Sequence, residues 1–193
     1  MRPVAIALAA VLLPSAAFAR EAIWIEGESP QSTTFNKHSW YTNTGVSKDR
    51  LSPGTPGGAA GNWLAHYDQT GTSGQAVYQF TLTDGGAYVF WVRCNAFSTV
   101  MEYAFDGASL GPLDLSDPRE QVNVLTTGID IRFLHWIKVG TVTLSPGSHT
   151  VTIQISKNAA GTAQGAVDAL TLVNFPYAPS GALQPAVTPP PQP

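Results

Sequence analysis

Asp84-Gly85-Gly86-Ala87-Tyr88-Val89-Phe90-Trp91-Val92-Arg93-Cys94 is a turn signal followed by an apolar, aromatic-rich run. The Asp-Gly-Gly step tolerates the positive backbone angles of a tight turn, and the β-branched and aromatic residues after it suit a pleated surface. The same grammar recurs on both sides. Runs of period two span 23–28, 63–67, 76–82, 102–105, 121–124, 138–144, 149–155 and 167–173, separated by turns such as Asp106-Gly107, Ser145-Pro146-Gly147 and Asn158-Ala159-Ala160-Gly161. No helical stripe competes with them. Strands this short and closely spaced predict an all-β fold, an antiparallel β-sandwich or jelly roll.

The two ends of the chain read differently. Residues 1–19 combine Arg2, an apolar run from Val4 to Leu13, a Pro14 break and the small-x-small step Ala17-Phe18-Ala19, the pattern of a cleaved signal peptide. A secreted or periplasmic protein is expected, and the apolar run is too short to span a bilayer. Residues 178–193 are Pro-rich and uncharged and predict an extended tail or linker, with a linked or partner enzyme domain as its natural neighbour. Residues 20–177 then form one domain with one core. The single Cys94 excludes an internal disulfide and reads as a small buried hydrophobe in a strand. A net charge of −3, with no cluster of Lys or Arg, argues against nucleic acid as a partner. The polar, breaker-rich stretch 29–61 is longer than an ordinary connection, which marks it as functional or mobile.

Three acids stand out. Glu26 and Glu28, in Ile25-Glu26-Gly27-Glu28, share a strand face with Trp24, and Asp168 shares one with Leu170 and Leu172. A carboxylate on an apolar row needs hydrogen bonds, a cationic partner or a metal, and calcium, which collects hard oxygen ligands from separate segments, would fit. The alternative is that all three acids sit at strand ends in water. Glu26 and Glu28 project the same way, which suits chelation better than the opposed carboxyls of a glycosidase. No Gly-x-Ser-x-Gly elbow, His-Glu-x-x-His or phosphate loop is present, so a noncatalytic role is expected. The histidines lack metal-ligand spacing, His149 reads as structural, and Arg93 reads at least as well with a structural partner such as Asp106 as with a ligand carboxylate.

In order, Ile25-Glu26-Gly27-Glu28, Gly85 to Arg93, Phe105-Asp106-Gly107, Leu144 to Val151 and Val167-Asp168-Ala169-Leu170 resemble the carbohydrate-binding modules of families 6 and 35, within the galactose-binding-like sandwiches. The resemblance implies a noncatalytic module that binds a polysaccharide or oligosaccharide, with a structural calcium held by Glu26, Glu28 and Asp168. Sugar sites need aromatic rings on which a pyranose face can pack and polar groups that reach its hydroxyls. Candidates near strand ends and in loops are Trp40, Tyr41, Trp63, Tyr67, Asn95, His135, Trp136 and Asn158. Trp136 reads equally as a core anchor, whereas Trp24, Tyr88 and Trp91 read as core. The Asn that often precedes the closing Val-Asp in that family is absent here, where the stretch is Gln164-Gly165-Ala166. A protein-protein or cell-surface module and a small glycan hydrolase or lyase are the competing readings.

Overall fold

Strand β5 (Gly86–Asn95), which contains the opening run, is central to the fold. The computed structural model describes residues 19–36, 63–123, 131, 133–181 and 183–187. In it β5 joins a six-stranded sheet with β1 (Ala22–Glu26), β3 (Leu64–Asp68), β8 (Arg119–Asn123), β9 (Phe133–Leu144) and β11 (Ala163–Val173). The order is β1-β11-β5-β9-β8, and β3 pairs with β11 on the edge that β1 uses further along. A five-stranded sheet, in the order β2-β4-β10-β6-β7, is built from β2 (Ser32–Thr33), β4 (Gly74–Leu82), β6 (Val100–Phe105), β7 (Gly111–Pro112) and β10 (Gly147–Ser156). Every pairing is antiparallel, and the described residues contain no helix. The expected sandwich is therefore the observed architecture. Strands β2 and β7, two residues each, are too short to leave a periodic signal.

The sheets meet through Tyr78, Phe80, Phe90, Val92, Ile153 and Leu170, all buried. In β4 buried residues alternate with more exposed ones, as expected of a strand that is wet on one face. Strand β11 is buried almost throughout. Its inner face meets the other sheet, while Ala169 on its outer face joins Trp91 and Trp136, with Trp24 and Tyr177 packed against them. The Trp136 indole N–H donates to the Gly181 carbonyl at 2.7 Å, and Pro179 and Gly181 are buried. The packed unit thus runs past Tyr177, where the sequence placed the start of a tail. A Trp ring that is wholly buried needs a partner for its N–H, and this chain supplies a backbone carbonyl from its own C-terminal segment.

Candidate functional site

The acids that the sequence singled out lie around one junction, where β1 leaves the edge of β11 and β3 takes over. The strand ends at Glu26, opposite Ala169, and Gly27 and Glu28 form a turn. The Gly27 N–H donates to the Asp168 carbonyl at 2.7 Å, and a side chain at Gly27 would place its Cβ 2.2 Å from the Val167 oxygen. Only glycine allows so close an approach. Glu28 thus lies in a turn past the end of β1, so the strand alternation read from the sequence stops at Glu26. Glu26 Oε1 accepts from the Trp24 indole N–H at 2.8 Å. Glu28 lies near Tyr78, whose hydroxyl donates to the Gly27 carbonyl. Burial, opposed by a hydrogen bond from its own backbone and reinforced by the charge of Glu26, raises the pKa of Glu28 to about 6. Its buried Oε2 has no hydrogen-bond partner among the described residues.

Asp168 is the extra residue of a β-bulge, since Val167 faces Cys94 and Ala169 faces Arg93. The bulge takes it off the Leu170 and Leu172 row. Its Oδ2 meets Arg93 Nη1 at 2.8 Å with both side chains fully buried. Arg93 is thus paired with Asp168, while Asp106 is engaged by His149 and Thr150. Among the described residues no three His, Cys, Asp or Glu side chains gather as a metal site. The calcium donor set therefore fits in part: Glu28 offers a buried oxygen that a cation would suit, whereas Asp168 already carries a guanidinium.

The predicted sugar contacts divide. Trp40 and Tyr41 lie outside the described residues. Trp63 is wholly buried with Ala65, Leu134 and Ala166, and Trp136 is wholly buried with its N–H committed to Gly181, so in this structure neither ring offers a free face. Trp136 takes the core-anchor alternative. Asn95 is buried and donates to the carbonyls of Ile131 and Phe133, which positions the start of β9. Buried His135 has no partner for either ring nitrogen among the described residues, and burial lowers its pKa to about 4.

Tyr67 and Asn158 belong instead to the exposed end of the sandwich. Half-buried Tyr67 is registered opposite Gln164, whose amide donates to the Phe97 carbonyl at 3.0 Å. Phe97 occupies the β5–β6 turn with 41% of its surface exposed. Asn158 donates to the Ser98 carbonyl at 2.6 Å and accepts from the amides of Ala160 and Thr162, tying the β10–β11 turn to the β5–β6 turn. Buried His66 braces the same end by accepting from the Asn36 N–H and donating to the Thr72 carbonyl, both at 2.9 Å. Sequence reasoning missed Phe97 and Gln164. Gln164 occupies the stretch where an Asn was sought, and an amide one methylene longer was the available signal.

Two further groups have recognisable chemistry. His149 Nδ1 lies 2.7 Å from Asp106 Oδ2 and Nε2 lies 2.8 Å from the Ser145 carbonyl. With a carboxylate on one side and a carbonyl on the other, both nitrogens act as donors, so the ring is held as imidazolium and cannot serve as a base. The hydrogen bond to Asp106 is the main cause of its raised pKa. Burial alone would raise Asp106, but hydrogen bonds from Thr150 and His149 bring it below its ordinary value. The Cys94 thiol is buried, and burial together with the Asp168 charge pushes its pKa to about 12. A thiol so protonated is a poor nucleophile.

No family model matches the sequence, and no curated protein matches it. Solved structures similar to the chain include family 35 carbohydrate-binding modules. One, from an environmental isolate, is 12% identical with a TM-score of 0.48, over 86% of this chain and 99% of the other. The family 35 module of Cellvibrio japonicus Abf62 is 13% identical with a TM-score of 0.44, over 80% and 94%. A Podospora anserina β-(1,4)-mannanase with a family 35 module is 15% identical with a TM-score of 0.47. The match covers 82% of this chain but 29% of that enzyme. An insecticidal crystal protein, Cry2Aa, reaches a similar TM-score of 0.47 at 13% identity, so likeness at this level does not carry function from one chain to another.

Proposed function

We propose that the domain is a noncatalytic glycan-binding module that takes a polysaccharide at the end of the sandwich formed by Tyr67, Phe97, Asn158 and Gln164. The observation that carries the reading is the exposure of Phe97 beside an amide that is already positioned by its own backbone. Aromatic surface packs against sugar C–H groups, and the carbonyl of Gln164 is left to accept from a hydroxyl. Three of the groups that could do acid-base or nucleophilic work are committed elsewhere: Asp168 to Arg93, His149 to Asp106 and Ser145, and Cys94 to the core. Single-site affinity is expected between micromolar and millimolar, because a small stacked contact leaves little surplus after ordering costs.

The leader at 1–19 supports export, which puts the module where polysaccharides are met. Calcium would be held by Glu26 and Glu28 with main-chain oxygens, with Asp168 joining by sharing its carboxylate with Arg93. It would neutralise two like charges and fasten the β1 turn to β11. The experiment is a glycan array with the purified protein, run with calcium and with EDTA. Binding to a defined glycan without turnover supports the reading. A blank array together with capture of a stoichiometric protein partner would hand the fold to the interaction-module alternative.

A further inference from the structure

Strand β9 is 12 residues long, and β8 covers only its first part, where Asn123 faces Phe133 and Arg119 faces Trp136. From Ile137 to Leu144 it pairs with β5 on one side and, among the described residues, with no strand on the other. Exposure follows the same boundary. Leu134 to Ile137 are buried, whereas Lys138, Thr141 and Thr143 are exposed. An edge of this kind presents unpaired N–H and C=O groups and is a template for another chain. Lys138 and a bulge at Val139, which the register skips between Lys138 and Gly140, guard its beginning. Thr141 to Leu144, beyond them, carry neither charge nor proline.

Two cavities flank this edge, one on each side of the sheet, and Thr141 lines both. The outer one, about 350 Å³, has Val89, Phe175, Tyr177 and Lys138 in its walls. The inner one, about 300 Å³, lies beside Val142 and is walled by Tyr103, Phe105 and Ala108. Tyr103, Phe105 and Val142 also pack against the main core, which sets this cavity on the inward side. No Asp or Glu lines either cavity. Lys138 has no carboxylate partner among the described residues. The Arg20 guanidinium, 4.2 Å from the centre of the Phe175 ring, brings a second cation to the outer wall.

We infer that the β9 edge from Gly140 to Leu144 is a strand-addition site for an extended segment of a partner protein, in which a large apolar residue and an acidic residue follow one another. Neighbours on a strand point to opposite faces, so the apolar side chain enters the inner cavity while the acidic one meets Lys138 in the outer cavity. Main-chain hydrogen bonds to β9 supply the part of the affinity that does not depend on sequence. A second copy of β9 fits less well, because it brings only small Thr141 and Thr143 side chains and the like charge of Lys138 to the outer cavity. The Pro-rich end of the chain fits less well again, because proline cannot donate to a ladder. The inference does not rest on the glycan-binding reading, since this edge pairs with the start of β5 and Phe97 follows its end.

The test selects peptides from a random phage-displayed library on the purified protein and follows the synthetic consensus peptide by amide chemical-shift titration. A consensus that alternates apolar and acidic residues and moves Tyr103, Phe105 and residues 140–144 is expected. N-methylation of the central peptide amide should weaken binding at least about tenfold, because a strand cannot be added without its N–H groups. Thr141→Glu, an exposed change that repels the acidic residue, should weaken it to a similar degree, and Lys138→Gln should weaken it about threefold. Both variants should keep the melting temperature of the parent. No enriched peptide, shifts that avoid this edge, indifference to N-methylation, or a Thr141→Glu protein that binds as the parent does would each overturn the inference. Concentration-dependent dimerisation that moves the same amides would overturn it in favour of self-pairing. Glycan binding at the Phe97 end stands or falls separately.

Discussion

Arg93 Nη1 and Asp168 Oδ2 lie 2.8 Å apart with neither side chain reaching solvent, one from β5 and the other from the bulge in β11. The relationship gives an acid that the sequence offered to a metal a cationic partner within the protein. A buried charge is costly alone, and the guanidinium meets that need within the protein itself. Asp168→Asn or Arg93→Met should each cost about 3–5 kcal/mol, because the survivor is a buried ion that loses its charged partner at 2.8 Å. The double replacement Arg93→Met with Asp168→Leu should cost less than the sum of the two single changes. Urea denaturation of the four proteins checks both statements.

The His149–Asp106 pair predicts a pH optimum of stability. His149 has a raised pKa when folded, so its contribution is complete below its unfolded value of about 6.5 and is lost as pH rises through the folded value. Asp106 is depressed, so its contribution is present above about 3.9 and is lost as pH falls through the folded value. Asp106→Asn should therefore destabilise the protein most between these limits. The gap in melting temperature between the parent and the variant should narrow on the alkaline side, where the His149 share is lost and the Thr150 hydrogen bond to Asp106 remains.

Glu28 has the sign of His149 and the opposite sign to Asp106. Its pKa is raised to about 6 from an ordinary 4.5, so in metal-free protein the folded state holds the proton more tightly and stability falls as pH rises across that interval. Calcium at Glu26 and Glu28 should remove this loss and raise the melting temperature through mass action, with EDTA reversing both effects. Glu28→Gln should be insensitive to either. A metal-loaded sample whose melting curve ignores EDTA would count against the site.

Trp136→Phe tests the C-terminal anchor. The change keeps an aromatic ring but leaves the Gly181 carbonyl without its donor, at a cost of about 1–3 kcal/mol. Faster hydrogen exchange or proteolysis confined to residues 177–187 is the expected signature.

The sandwich was legible because one-sided burial imposes period two on β4 and β10, and turn signals bound the other runs; β4, β5, β6, β9 and β10 all contain the runs from which they were read. The candidate site was less legible, for reasons visible in single residues. Trp63 and Trp136 have the composition of sugar platforms, yet the outer face of the sheet is itself covered, and a second layer of burial leaves no periodic trace. Asp168 was read on the Leu170 row because a bulge cannot be seen in an alternating pattern. Glu28 falls outside the alternating row because strand β1 stops just before Gly27, where the neighbouring backbone comes too close for a side chain. Phe97 was passed over because an aromatic in a turn carries no pattern until the turn's exposure is known.

The most direct measurement of the central claim is amide chemical-shift mapping with a neutral oligosaccharide chosen from the array. Shifts should gather at Tyr67, Phe97, Asn158 and Gln164, and Phe97→Ala should weaken binding at least about tenfold, or roughly 1.4 kcal/mol, while leaving the melting temperature nearly unchanged. Shifts that avoid this end of the sandwich, or a Phe97→Ala protein that binds as the parent does, would contradict the account.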